Sequence, residues 1–128
     1  MPLYFSTFMC YYYNILLPME QIFDPNERGK MAVNSKIKDG NLDKLFEAIL
    51  TLENVEECYA FFEDLCTVPE LKAMSQRYVV ATMLNDKRVY SDIVSETGAS
   101  TATISRVNRS LIYGCDGYEL VFERLKNK

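Results

Sequence analysis

The fold is decided by the stretch Tyr90-Ser-Asp-Ile-Val-Ser-Glu-Thr-Gly-Ala-Ser-Thr-Ala-Thr-Ile-Ser-Arg-Val-Asn-Arg-Ser-Leu111, which predicts two short helices joined by a tight turn at Gly98. Glycine adopts the left-handed backbone conformation that such a turn requires, and Ser100 offers a hydroxyl to cap the second helix. The first helix carries apolar residues at Ile93 and Val94, and the second at Ala102, Ile104, Val107 and Leu111. This pattern is typical of a helix-turn-helix, whose second helix normally enters the DNA major groove. An ordinary helical hairpin is the alternative.

The rest of the chain from Asn41 onward predicts helices only. Asn41 and Asn54 are expected to cap the first two helices, and Thr67-Val-Pro69-Glu70 has the composition of a helix start. The third helix should end at Asn85-Asp86, and Gly114 to Gly117 should separate the motif from a short last helix. No alternating run is long enough for a sheet. The predicted fold class is all-α.

Composition and charge limit the possible partners. The chain has 128 residues and a net charge of −4, so it is long enough for one domain and unsuited to indiscriminate binding of nucleic acid. Nine acidic residues and one base lie between Asp39 and Glu70. Four bases and two acids lie between Lys87 and Leu111. This asymmetry suits a protein that meets DNA with one end only.

Catalysis and metal binding are disfavoured by the residue types. The chain has no histidine, and its four cysteines are widely spread without metal-ligand spacing. A cysteine nucleophile would need a base other than imidazole, and no serine or carboxylate lies in a recognisable catalytic arrangement. We therefore expect no enzyme, no catalytic residue and no metal, and reduced thiols in a cytoplasmic protein.

The first thirty residues differ from the rest. Met1 to Pro18 is rich in tyrosine and phenylalanine, and it lacks the basic region and cleavage site of a signal peptide. It is also interrupted by Asn14 and is short for a membrane span. We interpret residues 1–30 as a non-native or disordered extension that arises from an upstream start codon, and residues 31–128 as the domain. A membrane-tethering segment is the alternative, although we expect no membrane partner.

Large apolar side chains exceed what three short helices can bury. They are Phe46, Tyr59, Phe61, Phe62 and Tyr78. Surplus apolar surface of this kind usually marks an interface, and a homodimer would match two DNA half-sites. A well-filled monomer core is the alternative.

The stretch from Leu65 to Leu111 resembles the tryptophan repressor family, and more closely its YerC/YecD-type relatives. The likeness is carried by Thr67, Pro69-Glu-Leu-Lys-Ala73, Arg77, Gly98-Ala-Ser-Thr-Ala-Thr-Ile-Ser-Arg106, Asn108 and Ser110-Leu111. Similarity of pattern extends over about residues 39–126. The resemblance implies a six-helix fold that forms an intertwined homodimer, with the first two helices supplying most of the shared core.

The same resemblance implies a sequence-specific transcriptional regulator, expected to be a repressor, that binds double-stranded DNA. It places Thr101, Ala102 and Ser105 against base edges, and Ser100 and Thr103 near phosphates. Small hydroxyl groups suit direct or water-bridged base contacts, and an alanine methyl suits thymine. Further phosphate partners are expected by charge at Arg109 and at Lys87 or Arg88. A protein-interaction module that has lost strong DNA binding is the alternative function.

The resemblance also implies an effector pocket, which we expect to be closed. Arg77 and Arg106 match the arginines that flank bound tryptophan in the family, Thr67 matches a threonine near its carboxylate, and Ser110 completes the candidate pocket. However, Val107 stands where the tryptophan repressor has glycine, and its branched side chain would fill the space for the indole. We expect no tryptophan co-repressor and no other cofactor, and the sequence identifies no effector.

If the natural chain starts at Met31, mass spectrometry of the endogenous protein should find an N-terminus at Met31 or just after it. The physical reason is that Arg28-Gly29 can be encoded by a purine-rich stretch resembling a bacterial ribosome-binding site, at a suitable distance before Met31. Recovery of an endogenous peptide spanning Met1 to Arg28 would contradict this prediction.

Overall fold

The computed structural model describes residues 36–128, which form six α-helices and no strand. The helices are α1 (Gly40–Ile49), α2 (Val55–Leu65), α3 (Val68–Asn85), α4 (Tyr90–Thr97), α5 (Thr101–Tyr113) and α6 (Gly117–Lys126). The prediction of an all-α fold with six helices is confirmed. None of the helices in this range is both long enough and apolar enough to cross a membrane. The predictions for residues 1–30 lie outside the described residues.

Helices α3, α4 and α5 pack around a small buried core. Its members are Val80, Ala81, Met83, Ile93, Ala99, Ile104, Val107 and Phe122. Ile93, Ile104, Val80 and Val107 are the largest side chains that are fully buried. Each contributes about 1.5–3 kcal/mol relative to an exposed position. Burial at these positions therefore outweighs any single helix cap, which is typically worth about 1 kcal/mol.

Two predicted apolar positions of the motif do not belong to this core. Val94 is 37% exposed and Ala102 is exposed, whereas Ile93, Ile104 and Val107 are buried as expected. The reason is helical geometry, since successive residues point about 100° apart around the axis. Val94 therefore cannot share the inward direction of Ile93, and Ala102, two positions before Ile104, faces away from it.

The helix starts follow local sequence signals. The Asn54 side chain accepts a hydrogen bond from the Glu57 backbone N–H at 2.9 Å, as predicted. Thr67 and Glu70 form a reciprocal capping box at the start of α3. The prediction that Asn41 caps α1 is wrong, because the helix already begins at Gly40. Asp39 has the extended backbone of the capping residue, and its carbonyl accepts the Asp43 N–H at 2.9 Å.

Helix α3 ends in a Schellman motif. The Lys87 N–H bonds to the Leu84 carbonyl and the Arg88 N–H to the Met83 carbonyl, each at 3.0 Å. Lys87 has a φ of 62°, which is the left-handed conformation that glycine normally occupies at this position. That conformation costs an L-residue about 1–2 kcal/mol. The motif brings Lys87 and Arg88 to the junction between α3 and α4.

Helices α1 and α2 contribute no buried residue in the single chain. Phe46 is 51% exposed and Tyr59 is 74% exposed. Phe61 and Phe62 are half-buried, and their rings meet edge to face with centroids 5.7 Å apart.

The last helix, α6, is joined to α3 by two aromatic rings. The ring centroid of Phe122 on α6 lies 6.1 Å from that of Tyr78 on α3.

The two glycines that flank the α5–α6 connection, Gly114 and Gly117, should respond oppositely to alanine. A Cβ at Gly114 would lie 2.2 Å from the Ser110 carbonyl oxygen, whereas a Cβ at Gly117 would have nothing within 4 Å. We expect Gly114→Ala to lower the free energy of unfolding by about 1–3 kcal/mol, the usual cost of overpacking. Gly117→Ala should be neutral or stabilising, because alanine loses less chain entropy in a helix.

Urea unfolding followed by circular dichroism measures both variants. Because both changes add one methyl group to the same connection, Gly117→Ala is the matched control. Equal stabilities of the two variants would contradict the close approach at Gly114.

Candidate nucleic-acid interface

Helix α5 has one buried and one exposed face. Ile104 and Val107 are buried and Leu111 is half-buried on the inner side. On the wheel of about 100° per residue, the exposed residues outside this inner side include Thr101, Ala102, Ser105, Arg106 and Arg109. This outer surface, from here the α5 outer face, combines small side chains near the helix start with two arginines further along. It contains the three residues predicted to touch base edges.

The turn between α4 and α5 is tight and internally hydrogen-bonded. Gly98 has a φ of 68° and its N–H bonds to the Val94 carbonyl at 2.9 Å. The Thr97 hydroxyl donates to the Ile93 carbonyl at 2.6 Å and accepts the Ala99 N–H at 3.1 Å. Ala99 itself is only 2% exposed, so the turn is anchored in the core. The predicted role of Gly98 is confirmed.

The start of α5 is capped by its own side chains. Ser100 accepts the Thr103 N–H at 3.1 Å, and the two side-chain oxygens lie 3.0 Å apart. The predicted cap at Ser100 is therefore confirmed. The remaining free N–H groups of the first turn, with the positive end of the helix dipole, favour an anion at this end of α5.

The four predicted cations of the motif lie in two different environments. Arg88 pairs with Glu96 and lies 3.8 Å from Asp92, both on α4. Arg106 and Arg109 are exposed on α5, and no ion pair of residues 36–128 involves either guanidinium group. Lys87 is also exposed, at the head of α4. The positive charge on the α5 outer face thus comes from Arg106 and Arg109, and Lys87 adds an exposed charge before α4.

Comparison with known proteins agrees with this geometry. The sequence profile of the family described as Trp repressor protein matches residues 40–126, from the first residue of α1 to the last residue of α6. The chain belongs to this Trp repressor protein family. The family is one of DNA-binding regulators and not of enzymes.

Relatives at high identity include two solved structures with the same fold. The chain is 53% identical over 91 residues to the uncharacterized protein YerC of Bacillus subtilis (strain 168), which covers 71% of this chain and 88% of YerC. A TrpR-like protein from Eubacterium eligens ATCC 27750 has a crystal structure with 58% identity and a TM-score of 0.70, covering 73% of this chain and 96% of that one. A candidate Trp repressor from Staphylococcus aureus has 54% identity and a TM-score of 0.69, covering 73% and 93%.

The residues matched to the effector pocket of the Trp repressor family have different surroundings in the single chain. Thr67 caps α3, and Arg77 lies ten residues further on, about 15 Å along the helix axis. Arg77 is half-buried, whereas Arg106 is exposed on the α5 outer face. Ser110 donates its hydroxyl to the Arg106 carbonyl at 3.2 Å. Val107 is 1% exposed and packs inside the core.

Thr67 has a local structural partner. Its hydroxyl lies 2.8 Å from a carboxylate oxygen of Glu70, and the same oxygen accepts the Thr67 N–H at 2.8 Å. These hydrogen bonds, first from the Thr67 backbone and then from its side chain, lower the pKa of the exposed Glu70 carboxyl below its ordinary value. The hydroxyl that the family comparison matches to ligand binding thus takes part in the cap of α3.

One hydrogen bond of the motif was not predicted from the sequence. The Gln76 side-chain amide donates to the Thr97 carbonyl at 3.0 Å, joining α3 to the turn across 21 residues. No local spacing rule relates such distant positions. By contrast, Arg88 and Asp92 stand only four residues apart in the chain, so their contact is a local one.

Proposed function

We propose that this chain is a sequence-specific DNA-binding transcriptional regulator, a repressor, that works as a homodimer in the cytoplasm. The observation that carries the proposal is the division of α5 into a buried inner face and an exposed outer face beside free cations. A recognition helix needs this division, because its inner residues hold it on the domain while its outer residues remain available to the major groove.

Base contacts are proposed for Thr101, Ala102 and Ser105. All three are exposed and lie within the first five residues of α5, where recognition helices usually meet base edges. The two hydroxyl groups can donate or accept, either directly or through bridging water, and the alanine methyl can contact thymine. Such short side chains read bases only when the backbone of the helix lies deep in the groove.

Phosphate contacts are proposed at both ends of this surface. Ser100 and Thr103 lie at the capped start of α5, where the helix dipole attracts an anion. Arg109 and Lys87 supply unpaired charges, and we add Arg106 because it lies on the same face. Arg88 is the weakest of the four basic candidates, since a phosphate would have to compete with Glu96 and Asp92.

The homodimer is supported by the first two helices. They bury nothing in the single chain and expose large apolar groups such as Phe46, Tyr59 and Leu65. Exposed apolar surface of this extent is unfavourable in water and usually marks an interface. A second copy would cover it and would also place two recognition helices about one DNA turn apart.

We also propose that DNA binding does not use tryptophan as a co-repressor. Val107 fills the core between α3 and α5, so an indole entering there would have to displace packed methyl groups. Overfilling of this kind costs about 1–3 kcal/mol, which corresponds to roughly a ten- to hundredfold loss of affinity. The proposal leaves any other small-molecule effector open to identification.

The DNA-binding proposal predicts discrete sites and a characteristic response to salt. Duplexes selected from random DNA by the purified protein should contain inverted half-sites about one helical turn apart. Arg106→Gln and Arg109→Gln should each flatten the slope of log affinity against log salt by about 0.9 per lost phosphate contact, or about 1.8 for a symmetric dimer. Arg88→Gln is the matched control and should change the slope much less, because Arg88 already has acidic partners.

Fluorescence anisotropy over a range of salt concentrations measures these slopes. Failure to select any discrete site would refute the regulator and favour a protein-interaction module. The net charge of −4 and the exposed apolar groups of α1 and α2 would fit such a module. Unchanged slopes for both arginine variants would refute the phosphate contacts while leaving DNA binding intact.

The absence of a tryptophan site is tested by calorimetry. Titration of the parent protein with tryptophan should show no saturable binding in the micromolar range, and Val107→Gly should gain affinity because the methyl groups are removed. Val107→Ala removes less volume and should lie between the two. Saturable micromolar binding to the parent would contradict the proposal, and thermal unfolding of each variant verifies that it remains folded.

A further inference from the structure

The turn that precedes the recognition helix is held to α3 by one polar side chain, Gln76. Thr97 is the last residue of α4, so its carbonyl has no partner within that helix. The Gln76 amide donates to this carbonyl at 3.0 Å in a half-buried position. The bond therefore connects the long helix α3 directly to the first residue before the Gly98 turn.

The neighbouring groups of the turn are satisfied locally. The Gly98 N–H reaches Val94, the Ala99 N–H reaches the Thr97 hydroxyl, and that hydroxyl donates to Ile93. These bonds fix the shape of the turn but lie within α4 and the turn itself. The Gln76 bond is different, since it fixes where the turn lies relative to α3. Apolar packing around Ala99 also restrains the turn, and the Gln76 bond adds a directional contact to it.

We propose that Gln76 is a positioning residue that sets the angle at which α5 is presented to DNA. The inference rests on the proposed DNA-binding function and adds to it a residue outside the helix-turn-helix. A tilt of about 10° at the turn would displace Ser105, about 6 Å further along the axis than Thr101, by about 1 Å. Contacts made by short side chains such as Ser105 do not survive displacements of this size.

Loss of the Gln76 bond should affect specific and non-specific DNA binding differently. Base contacts depend on the orientation of α5, whereas non-specific binding depends mainly on charge and is insensitive to a small tilt. We therefore expect the ratio of specific to non-specific affinity to fall, while non-specific affinity stays nearly constant. A purely structural role would lower the folded fraction and reduce both affinities together.

The test uses Gln76→Glu and Gln76→Met in the full chain. Glutamate has the shape of glutamine but presents a carboxylate to the Thr97 carbonyl, and methionine has similar length without a donor. Thr82→Val is the matched control, because it deletes a hydroxyl that bonds to the Tyr78 carbonyl within the same helix and does not touch the turn. The DNA probes are a duplex selected by the parent protein and a scrambled duplex of equal length.

We expect both Gln76 variants to lose about tenfold in affinity for the selected duplex, about the effect of losing one base contact, and less than about twofold for the scrambled one. Thr82→Val should keep the parent ratio. An unchanged ratio in both Gln76 variants, with the parent protein binding its selected duplex, would overturn the positioning role.

Amide hydrogen exchange tests the same role without DNA. Exchange at Ala99 should accelerate about tenfold in Gln76→Met and remain at the parent rate in Thr82→Val, since only the former frees the turn from α3. If the parent selects no DNA site, the proposed function fails, and this measurement alone decides whether Gln76 holds the turn. An unchanged Ala99 exchange rate in that case would overturn the inference as well.

Discussion

The structure depends on the apolar contact between α3 and α5. Val80 and Ala81 on one helix, with Ile104 and Val107 on the other, are fully or almost fully buried, and Ile93 of α4 closes the group. Together these few side chains fix three helices, because a buried aliphatic group is worth more than a cap or a single net hydrogen bond. Without this contact α5 would have no inner face, and its outer face would have no defined direction. The turn at Gly98 joins α4 to α5 through three residues, and both helices contact α3.

Local signals explain how much of this the sequence could predict. Asn54, Thr67 and Ser100 act on amides three residues away, so their roles follow from short-range chemistry that any helix start obeys. Gly98 is equally local, since its conformation is a property of one residue. Asn41 was assigned wrongly because Asp39 and Asn41 have similar capping chemistry and only the observed backbone distinguishes them. Val94 and Ala102 show that an apolar side chain does not by itself reveal which way it faces.

The predicted site is harder to derive from the sequence than the helix caps, because its residues depend on different physical effects. Exposure of Thr101 and Ser105 follows from the period of α5 once Ile104 and Val107 are known to face inward. The pairing of Arg88 with Glu96 does not, as it depends on the Schellman motif that directs the chain after Met83. The hydrogen bond between Gln76 and Thr97 could not be predicted from the sequence, because only the packed tertiary structure brings the two residues together. Resemblance to a family supplies the candidate residues, but the tertiary structure decides which cations are paired and which are not.

Lys87 shows how the fold and the proposed function share one residue. Its left-handed backbone is the one that glycine adopts without strain, so lysine at this position costs the chain stability. The Schellman motif would form with glycine as well, because its two hydrogen bonds use backbone atoms only. What glycine could not supply is a positive charge at the head of α4, in a chain whose net charge is −4. Under the proposed function, the Lys87 ammonium faces a DNA phosphate. That contact offsets the backbone strain in the DNA complex and not in the free protein.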